Sequence, residues 1–427
     1  MRYNRLKGFY DIIPPDIHIW NTIEETIKKH LILYGYEEMR LPIVESTEVF
    51  CRGIGEGTDI VEKEMYTFTD KGGRSLTLRP EGTASAVRAY IENQLHTRPA
   101  PQRFFYHGPM FRYERPQKGR QRQFYQIGVE AFGVSYPSLD AEMLFMAKNI
   151  LNTIGLSSLT VEINSIGCKD CRPMFIKILQ DFYKDKLAHL CTDCTRRYNT
   201  NPLRILDCKV PTCVELKTDA PLIRETLCPD CKWHFEMLIK YIQDYGLDYK
   251  INDRLVRGLD YYTKTAFEIT TNALGAQNAV LAGGRYDYLV EQFGGSNTPA
   301  IGFALGMERI ITLLKDNINI TNPPKVFIAN LGADTFTHAQ RVADIIRKHG
   351  IICEINHGST SLKNQIRRGD RVGARFVVIL GDEEMMTNRI KWKDLKTGDQ
   401  SEGQIDNFLT ELKTLLLGKG KSAMGGD

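Results

Sequence analysis

The sequence predicts an α+β domain in which an antiparallel sheet is flanked by helices, interrupted by a small helical insertion and followed by an α/β domain. Three observations predict this fold. Residues 111–130 form two alternating runs joined by a charged loop, the pattern of a long antiparallel hairpin. Eight of the ten cysteines fall between Cys168 and Cys231, within a mostly helical pattern. Beyond Val326, short strands alternate with helices, as in a separate α/β unit.

The bulk composition indicates a globular protein of two or three domains. The chain has 427 residues, of which 42% are hydrophobic and 25% charged, so it can bury a sizeable core. The net charge of +4 permits a nucleic-acid partner without requiring one. The first residues lack an apolar signal core, and no stretch approaches the roughly 20 apolar residues of a membrane span. We therefore expect a soluble, cytoplasmic protein with no membrane partner.

Changes in composition and pattern predict how the chain is divided. A main domain is expected from residues 1–167 and 249–322, with 168–248 as the inserted helical domain. The segment Asn322-Pro323-Pro324 reads as a linker to a domain at 325–417. The remaining residues, 418–427, are rich in Gly, Lys and Ser and are predicted to be disordered.

The N-terminal part of the chain predicts a helix, an edge strand and a loop. Apolar residues at near-helical spacing predict a helix over residues 17–34. Pro42 interrupts the strand that follows, and because proline removes a ladder donor, this strand is expected at an edge or interface. A dimer contact and an ordinary sheet edge both remain open. Residues 51–65 are Gly-rich and charged, which predicts a mobile loop over a site.

Polar residues on the predicted hairpin could form the floor of a cavity. Gln126 and Glu130 share one face of their strand because side chains repeat with period two, and Arg112 lies on the other arm. A solvated hairpin with surface charges is the alternative. Upstream, Glu81 and Thr83 stand where a strand meets a helix. They could hold an ammonium group or cap the helix N–H groups, which is the commoner use.

Three segments after the insertion combine glycines with charged and aromatic residues. Leu255–Tyr262 and Ala282–Asp287 are predicted as strands, and Ala300–Arg309 as a small-residue strand leading into an apolar helix. Double glycines permit close approach of the backbone to a ligand or to another strand. None of these segments is a Walker loop or a Rossmann fingerprint. Arg309 could meet an anion or pair with an acidic side chain.

The cysteines form three Cys-x-x-Cys pairs with two further cysteines between the second and third pairs: Cys168/Cys171, Cys191/Cys194, Cys208, Cys213 and Cys228/Cys231. Disulfides are not expected in a reducing cytosol. The gap between Cys171 and Cys191 fits a zinc knuckle made by the first two pairs. Reduced thiols in a helical module are the alternative. Structural zinc is therefore possible, but no residue is assigned as a metal ligand.

A basic cluster follows in the C-terminal domain, on and after a predicted helix: Lys363, Arg367, Arg368, Arg371 and Arg375. An RNA-facing patch and a solvated helix face both explain it.

These residues together resemble the bacterial histidyl-tRNA synthetases over nearly all of residues 1–417. The stretch from Arg112 to Glu130 resembles motif 2 of the class II synthetases, and Ala300–Arg309 resembles motif 3. The helix at 17–34 with Pro42 resembles motif 1, which implies a homodimer. Leu255–Tyr262 and Ala282–Asp287 resemble the two signatures specific for histidine. The resemblance implies a class II catalytic domain and an anticodon-binding domain with a mixed sheet at 325–417.

The resemblance also implies an activity. It is the ATP-dependent ligation of L-histidine to tRNA(His) through a histidyl-adenylate, with release of AMP and pyrophosphate and with Mg²⁺ on the phosphates. Arg112 would grip the α-phosphate, with Arg257 on its other side, and Arg309 the far end of the triphosphate. Arginines suit this role because they stay charged and match phosphate oxygens.

The remaining roles that the resemblance implies concern histidine and tRNA. Glu130 and Tyr262 would contact the imidazole ring, with Tyr286 lining the pocket. Glu81, Thr83 and Gln126 would hold the ammonium end of the substrate. Arg115 and Gln117 would face the acceptor stem of the tRNA. Together with the three arginines that would bind ATP, the residues named here make up the expected site.

Two other functions compete with this interpretation. Catalytically inactive relatives of these synthetases serve as regulatory subunits of ATP phosphoribosyltransferase, and they usually lack both the C-terminal domain and the signature arginine. This chain has Arg257 and residues 325–417, which favours the enzyme. A simple RNA-binding module would give no reason for a polar amino-acid pocket.

Overall fold

The computed structural model describes residues 3–55, 57–117, 119–274, 278–315, 325–332, 334–358 and 361–420, with side chains as far as 414. The chain divides into two compact units, Met1–Ile318 and Asn319–Asp427. The predicted linker at 322–324 and residues 421–427 of the predicted tail lie outside the described residues. Within the described part of the chain, no helix is both long enough and apolar enough to cross a bilayer.

The strands of the first unit are, in chain order, β1 (Glu37–Glu38), β2 (Val44–Ser46), β3 (Tyr66–Thr69), β4 (Ser75–Leu78), β5 (Gln102–Phe111), β6 (Gln123–Phe132), β7 (Thr160–Ser165), β8 (Lys250–Ile251), β9 (Thr263–Thr270), β10 (Ala279–Arg285) and β11 (Ala300–Gly306). The main sheet has the order β1-β5-β6-β11-β10-β9-β7-β8, and β2, β4 and β3 form a small second sheet. The inner strands of the main sheet pair antiparallel, and only the edge strands β1 and β8 pair parallel. The predicted hairpin is β5 with β6, and the predicted antiparallel sheet is confirmed.

The helices of the first unit are α1 (Asp16–Leu33), α2 (Thr47–Ile54), α3 (Thr83–Glu92), α4 (Pro137–Thr153), α5 (Arg172–Tyr183), α6 (Thr192–Thr200), α7 (Pro211–Leu216), α8 (Pro229–Tyr245), α9 (Leu289–Gln292) and α10 (Met307–Leu314). The apolar spacing that predicted α1 corresponds to its buried stripe, which includes Trp20, Ile23 and Ile27. Helices α5 to α8 all belong to the insertion, which is helical as expected. Their buried residues Phe175 and Leu179 join the core that also contains Tyr262.

Two predictions of local structure are wrong. Residues 255–262 do not form a strand, because their backbone bonds locally and to α2: the N–H of Asp260 donates to the carbonyl of Ile54 at 3.0 Å. The predicted loop at 51–65 is largely helical, since α2 continues to Ile54 and Ile60–Glu64 forms a π-helical turn. The segment 255–262 is therefore an irregular loop that rests on α2.

The cysteines group differently from the predicted zinc knuckle. Cys168 and Cys171 meet Cys228 and Cys231, whereas the second Cys-x-x-Cys pair meets the two single cysteines: Cys191, Cys194, Cys208 and Cys213. The predicted pairing of Cys168/Cys171 with Cys191/Cys194 is wrong, because the start of the insertion meets the start of its last helix, α8. Sequence spacing favoured near neighbours and could not show this return.

The second unit is an α/β domain. Its elements are β12 (Lys325–Asn330), α11 (Phe336–Lys348), β13 (Ile352–Ile355), α12 (Leu362–Arg371), β14 (Phe376–Leu380), α13 (Asp382–Thr387), β15 (Ile390–Asp394), β16 (Gln400–Gly403) and α14 (Ile405–Gly420). The sheet order is β13-β12-β14-β15-β16, parallel in its first three strands and antiparallel thereafter, which confirms the predicted mixed sheet. Helix α14 continues through residues 418–420, which were predicted to be disordered. Once a helix has formed, each residue added to its end contributes one further backbone hydrogen bond.

Four of the five basic residues predicted as a cluster in this unit, Lys363, Arg367, Arg368 and Arg371, are exposed on α12. Arg375 is half-buried and donates to Asp394 at 2.5 Å, so it stabilises the fold of the unit.

Candidate active site

A cavity of about 330 Å³ opens on the face of the main sheet in the first unit. Strands β6, β10 and β11 form its floor, and the segment 255–262 and the loop of the β5–β6 hairpin form its sides. Carboxylate, hydroxyl and aromatic groups line one end, and arginines from separate parts of the chain line the other. We call these the carboxylate end, lined by Glu81, Thr83, Tyr106, Tyr261 and Tyr262 with Glu130 and Tyr286 directly behind them, and the arginine end, lined by Arg112, Arg120, Arg257 and Arg309.

Glu81 both caps a helix and lines the cavity. Its carboxylate accepts the backbone N–H groups of Thr83 at 2.6 Å and Ala84 at 2.8 Å, at the start of α3. These contacts confirm the capping alternative for Glu81 but not for Thr83, whose hydroxyl donates to Glu130. Burial raises the pKa of Glu81 above its ordinary value, and the two backbone hydrogen bonds oppose that rise. Because the same side chain lines the cavity, capping also orients it toward a ligand.

Glu130 is the most enclosed acid of this end, with only 1% of its surface exposed. It accepts hydrogen bonds from the hydroxyls of Thr83 at 2.7 Å, Tyr106 at 3.0 Å and Tyr286 at 2.5 Å. Burial raises the pKa of Glu130 to about 8, although the bonds from Tyr286 and Thr83 act to lower it. Burial is the largest of these effects, so the carboxyl group keeps its proton to a higher pH than an exposed glutamate does.

Tyr106 is a residue of this end that sequence reasoning missed. Its ring lies between two glycines, and a Cβ at either Gly82 or Gly128 would come within 2.1 Å of it. A Cβ at Gly302 would lie 1.8 Å from Oε2 of Glu130. Glycine inside a strand often marks such a close approach, and Gly128 in β6 and Gly302 in β11 were the available signal. The three glycines leave room for Tyr106 and Glu130 side by side.

Aromatic rings complete the carboxylate end. Tyr262 lines the cavity, and its ring centroid lies 4.6 Å from that of Tyr261, which sequence reasoning also missed. The Tyr261 hydroxyl approaches Glu81 at 3.5 Å. Tyr286 and Glu130 do not reach the cavity surface, since they lie behind Thr83 and Tyr106. Both remain predicted ligands of histidine.

Three predicted arginines from distant segments meet at the arginine end. Nε of Arg112 donates to the carbonyl of Pro80 at 2.9 Å. Arg257 pairs with Glu268, and its guanidinium carbon lies 5.5 Å from the ring centroid of Tyr262. Arg309 donates to the carbonyl of Ala279. Each of the three has a partner on the protein and still lines the cavity, so the three together favour a polyanionic ligand.

Charge is crowded at the arginine end. Burial lowers the pKa of Arg309 from its ordinary value, and the nearby Arg120 lowers it further. Arg120 forms a salt bridge with Glu114 at 3.0 Å, and both line the cavity. Sequence reasoning missed Glu114, Arg120 and Glu268, although the first two lie inside the hairpin loop that drew attention. An anion of several charges would relieve this repulsion between like charges.

The structure brings most of the predicted residues to one surface. Those that line the cavity are Glu81, Thr83, Arg112, Gln126, Arg257, Tyr262 and Arg309. Arg115 and Gln117 are exposed on the hairpin loop and are not among the lining residues. Backbone hydrogen bonds of 2.9 and 3.0 Å between Gln117 and Arg120 shape that loop into a tight turn. Lys118 of this loop lies outside the described residues.

Arg285 supports the site from within the core. It is fully buried and pairs with Asp140 and, at 3.0 Å, with Asp287. Thr265 also donates to Asp140, at 2.5 Å. The segment Ala282–Asp287 therefore combines a buried ion network with Tyr286, whose hydroxyl holds Glu130.

In this cavity, arginines from the hairpin of an antiparallel sheet meet an arginine from the helix that follows the last strand. This arrangement defines the catalytic domain of a class II aminoacyl-tRNA synthetase. The family described as histidyl-tRNA synthetase matches residues 8–170 and 212–310, and an anticodon-binding domain family matches 325–415. The chain belongs to the histidyl-tRNA synthetase family.

Individual relatives agree with this assignment. A protein of Thermodesulfovibrio yellowstonii named histidine–tRNA ligase is 52% identical over 96% of this chain and 98% of its own length. One of Desulforamulus reducens with the same name is 48% identical over 97% of this chain and 99% of its own length. The crystal structure of apo S. aureus histidyl-tRNA synthetase superposes with a TM-score of 0.80 at 36% identity, covering 96% of this chain and all of that one (100%).

Proposed function

We propose that this chain ligates L-histidine to tRNA(His), using ATP and passing through a histidyl-adenylate, with release of AMP and pyrophosphate. The observation that carries the proposal is the cavity itself. It joins three arginines suited to a triphosphate to a polar end suited to an amino acid, in a chain of the histidyl-tRNA synthetase family. The relatives named above bear the name of this activity.

The arginine end would bind ATP and stabilise the first transition state. The histidine carboxylate attacks the α-phosphate, so two anions approach and negative charge grows on the phosphate oxygens. Arg112 and Arg257 would contact the α-phosphate from two sides, and Arg309 would hold the far end of the triphosphate. Family membership implies a divalent metal that enters with ATP. Glu114 and Glu268 offer the carboxylate oxygens that Mg²⁺ takes alongside phosphate oxygens.

The carboxylate end would select histidine. Glu81, Thr83 and Gln126 line the cavity where they could accept or orient the substrate ammonium group. We assign Glu130 and Tyr262 to the imidazole ring, with Tyr286 holding Glu130. Because Glu130 is covered by Thr83 and Tyr106, this contact requires Tyr106 to shift when histidine binds. Polar groups that pair with both ring nitrogens would discriminate strongly against apolar amino acids.

Further parts of the proposal concern partners and organisation. Arg115 and Gln117 would face the tRNA acceptor stem, and residues 325–417 with the exposed basic face of α12 would bind the anticodon arm. A homodimer through α1 and the segment around Pro42 is supported by exposed apolar side chains there: Ile32, Leu33, Ile43 and Val44. We also propose 1–167 with 249–322 as catalytic domain, 168–248 as inserted domain and the cytoplasm as location.

Histidine-dependent exchange of pyrophosphate into ATP tests the function, followed by charging of tRNA(His) transcripts. We expect both activities with the purified chain, and exchange that responds to histidine far more than to other amino acids. Histidine binding without exchange would instead support a regulatory subunit and overturn the proposal. Light scattering of the same sample tests the dimer separately.

A further inference from the structure

The insertion contains two groups of four cysteines that the catalytic proposal does not use. We call them the outer group, Cys168, Cys171, Cys228 and Cys231, and the inner group, Cys191, Cys194, Cys208 and Cys213. In each group the sulfur atoms all lie within 4.8 Å of one another. Six of the eight side chains are buried. The family match stops at residue 170 and resumes at 212, so most of the inner group lies outside it.

The spacing of the sulfur atoms matches ligands around one small ion. Zinc–sulfur bonds of about 2.3 Å in a tetrahedron place neighbouring sulfurs about 3.8 Å apart. The distances are 3.6 Å for Cys168–Cys171, and 3.8 Å each for Cys168–Cys228, Cys171–Cys231 and Cys191–Cys208. A disulfide would hold two sulfurs about 2.05 Å apart. Buried thiols without an ion would have no reason to converge in fours.

Backbone N–H groups point at these sulfurs in both groups. The N–H of Cys168 lies 3.1 Å from Sγ of Cys171, and the N–H of Asp170 lies 3.4 Å from Sγ of Cys168. The N–H of Cys191 lies 3.3 Å from Sγ of Cys213. Such donors stabilise thiolates, the form that binds a metal. Lys217, whose Nζ lies 2.9 Å from the carbonyl of Cys208, adds a cation beside the inner group.

We propose that each group binds one zinc ion, so that the chain carries two structural zinc sites. All-sulfur tetrahedral sites favour zinc over magnesium or calcium, and four protein ligands leave no open position for catalysis. The two sites differ in what they join. The outer site links the start of the insertion, just after β7, to the start of its last helix, α8. The inner site closes the chain from Cys191 to Cys213 upon itself.

The inner site lies beside contacts that lead to the cavity. Helix α6, which begins next to Cys191, carries Arg196 and Arg197, whose guanidinium groups donate to Asp59 at 3.1 and 2.6 Å. Asn201, just after α6, donates to Asp260 at 2.5 Å. Asp59 belongs to the segment after α2, and Asp260 to the loop that carries Arg257 and Tyr262. The inner zinc would therefore hold the surface on which both segments rest. This inference does not depend on the proposed joining of histidine to tRNA(His).

Metal analysis of the untagged full-length protein tests the proposal directly. Inductively coupled plasma mass spectrometry should find about two zinc ions per chain, released when a mercurial blocks the thiols. Fewer than about one and a half ions per chain would overturn the two-site proposal. Iron in place of zinc would overturn the identity of the ion, since iron also binds four cysteines. Free titration of these eight thiols in the native protein as purified, with no metal removed beforehand, would overturn it entirely.

Cysteine variants assign each ion to its group. Cys194→Ser and Cys231→Ser should each lower the zinc content from two ions to one per chain. Cys353→Ala, a buried cysteine of the second unit, should keep both ions. If a variant does not fold, cobalt substitution of the wild-type protein still decides, because tetrahedral cobalt thiolates have characteristic visible bands. Two equivalents of cobalt should develop those bands, and their absence would contradict the sites.

Hydrogen exchange tests the link between the inner site and the cavity. Cys194→Ser should increase exchange at residues 57–64 and 259–262 at least several-fold, whereas Cys231→Ser should act mainly near residues 166–171 and 228–232. Strand β14 is the internal reference and should be unchanged in both variants. Equal protection of 57–64 in wild type and Cys194→Ser, with one zinc lost, would contradict the link. Activity is not needed for this measurement, so its outcome is separate from that of the proposed function.

Discussion

The two ends of the cavity are built in opposite ways. At the carboxylate end, Glu130 is covered by hydroxyl groups, and the space for it comes from three glycines. At the arginine end, Arg112 and Arg309 each donate to a backbone carbonyl and also line the cavity. The carboxylate end is shaped by close packing of side chains, and the arginine end by a concentration of charged side chains. Packing gives selectivity for a small substrate, whereas the crowded positive charges are balanced when an anion binds.

The largest effect is expected from removing charge at the arginine end. Arg257→Gln should lower histidine-dependent pyrophosphate exchange about a thousandfold, because charge on the α-phosphate loses a stabilising partner. Histidine binding, measured by calorimetry, should change little. Arg257→Lys is the matched control, which keeps the charge but loses the two-pronged geometry, and it should retain intermediate activity. Exchange within tenfold of wild type in Arg257→Gln would remove this residue from the chemistry.

The next effect tests packing at the carboxylate end. Gly302→Ala should lower the free energy of unfolding by about 1–3 kcal/mol and raise the KM for histidine, because the new Cβ would displace Glu130. Gly306→Ala on the same strand is the stability control, since among the described residues its Cβ would meet nothing nearer than Arg309 Cδ at 3.8 Å. Thermal and urea unfolding measure the difference. Equal stability of the two variants would show that this end tolerates bulk.

A smaller effect concerns the proton on Glu130. Its pKa rises from 4.5 to about 8 in the folded protein, so the folded state binds more protons than the unfolded state between these values. Stability contributed by this residue therefore falls as pH rises from about 4.5 to about 8, by at most about 1.4 kcal/mol per pH unit. Glu130→Gln should remove this pH dependence of stability. The melting temperature of the variant should therefore rise relative to that of the wild type as the pH increases.

The control for that titration is Glu25→Gln on the exposed face of α1, which should follow the wild-type pH profile. A Glu130→Gln profile parallel to wild type throughout this range would show that the carboxyl is ionised in its enclosed position. The carboxylate end would then be charged like the arginine end, and the contrast between them would weaken.

The smallest effect lies on the loop outside both ends. Arg115→Ala should raise the KM for tRNA(His) several-fold and leave pyrophosphate exchange unchanged, because the side chain is exposed and does not line the cavity. Arg74→Ala, at another exposed turn, should change neither quantity. A parallel loss of exchange in Arg115→Ala would place this arginine with the arginine end.

Much of the site could be predicted because its motifs are local. The hairpin, the strand leading into α10 and the mixed sheet of the second unit follow from patterns of a few residues. Tyr106 could not be predicted, because its position depends on Gly82 and Gly128 in two other elements. The path of residues 255–262 also escaped prediction, because their backbone bonds to α2, about 200 residues earlier in the chain. Alternation of side chains carries no information about such distant partners.

The sequence by itself determined the family, the antiparallel sheet and the residue types that the chemistry needs, since each is recorded in short stretches of chain. Only the tertiary structure decided that Glu130 lies behind Tyr106, and that the cysteines join as an outer and an inner group. The physical reason is that burial and metal geometry depend on distances between segments far apart in sequence. Spacing along the chain cannot show which segments return to the same place.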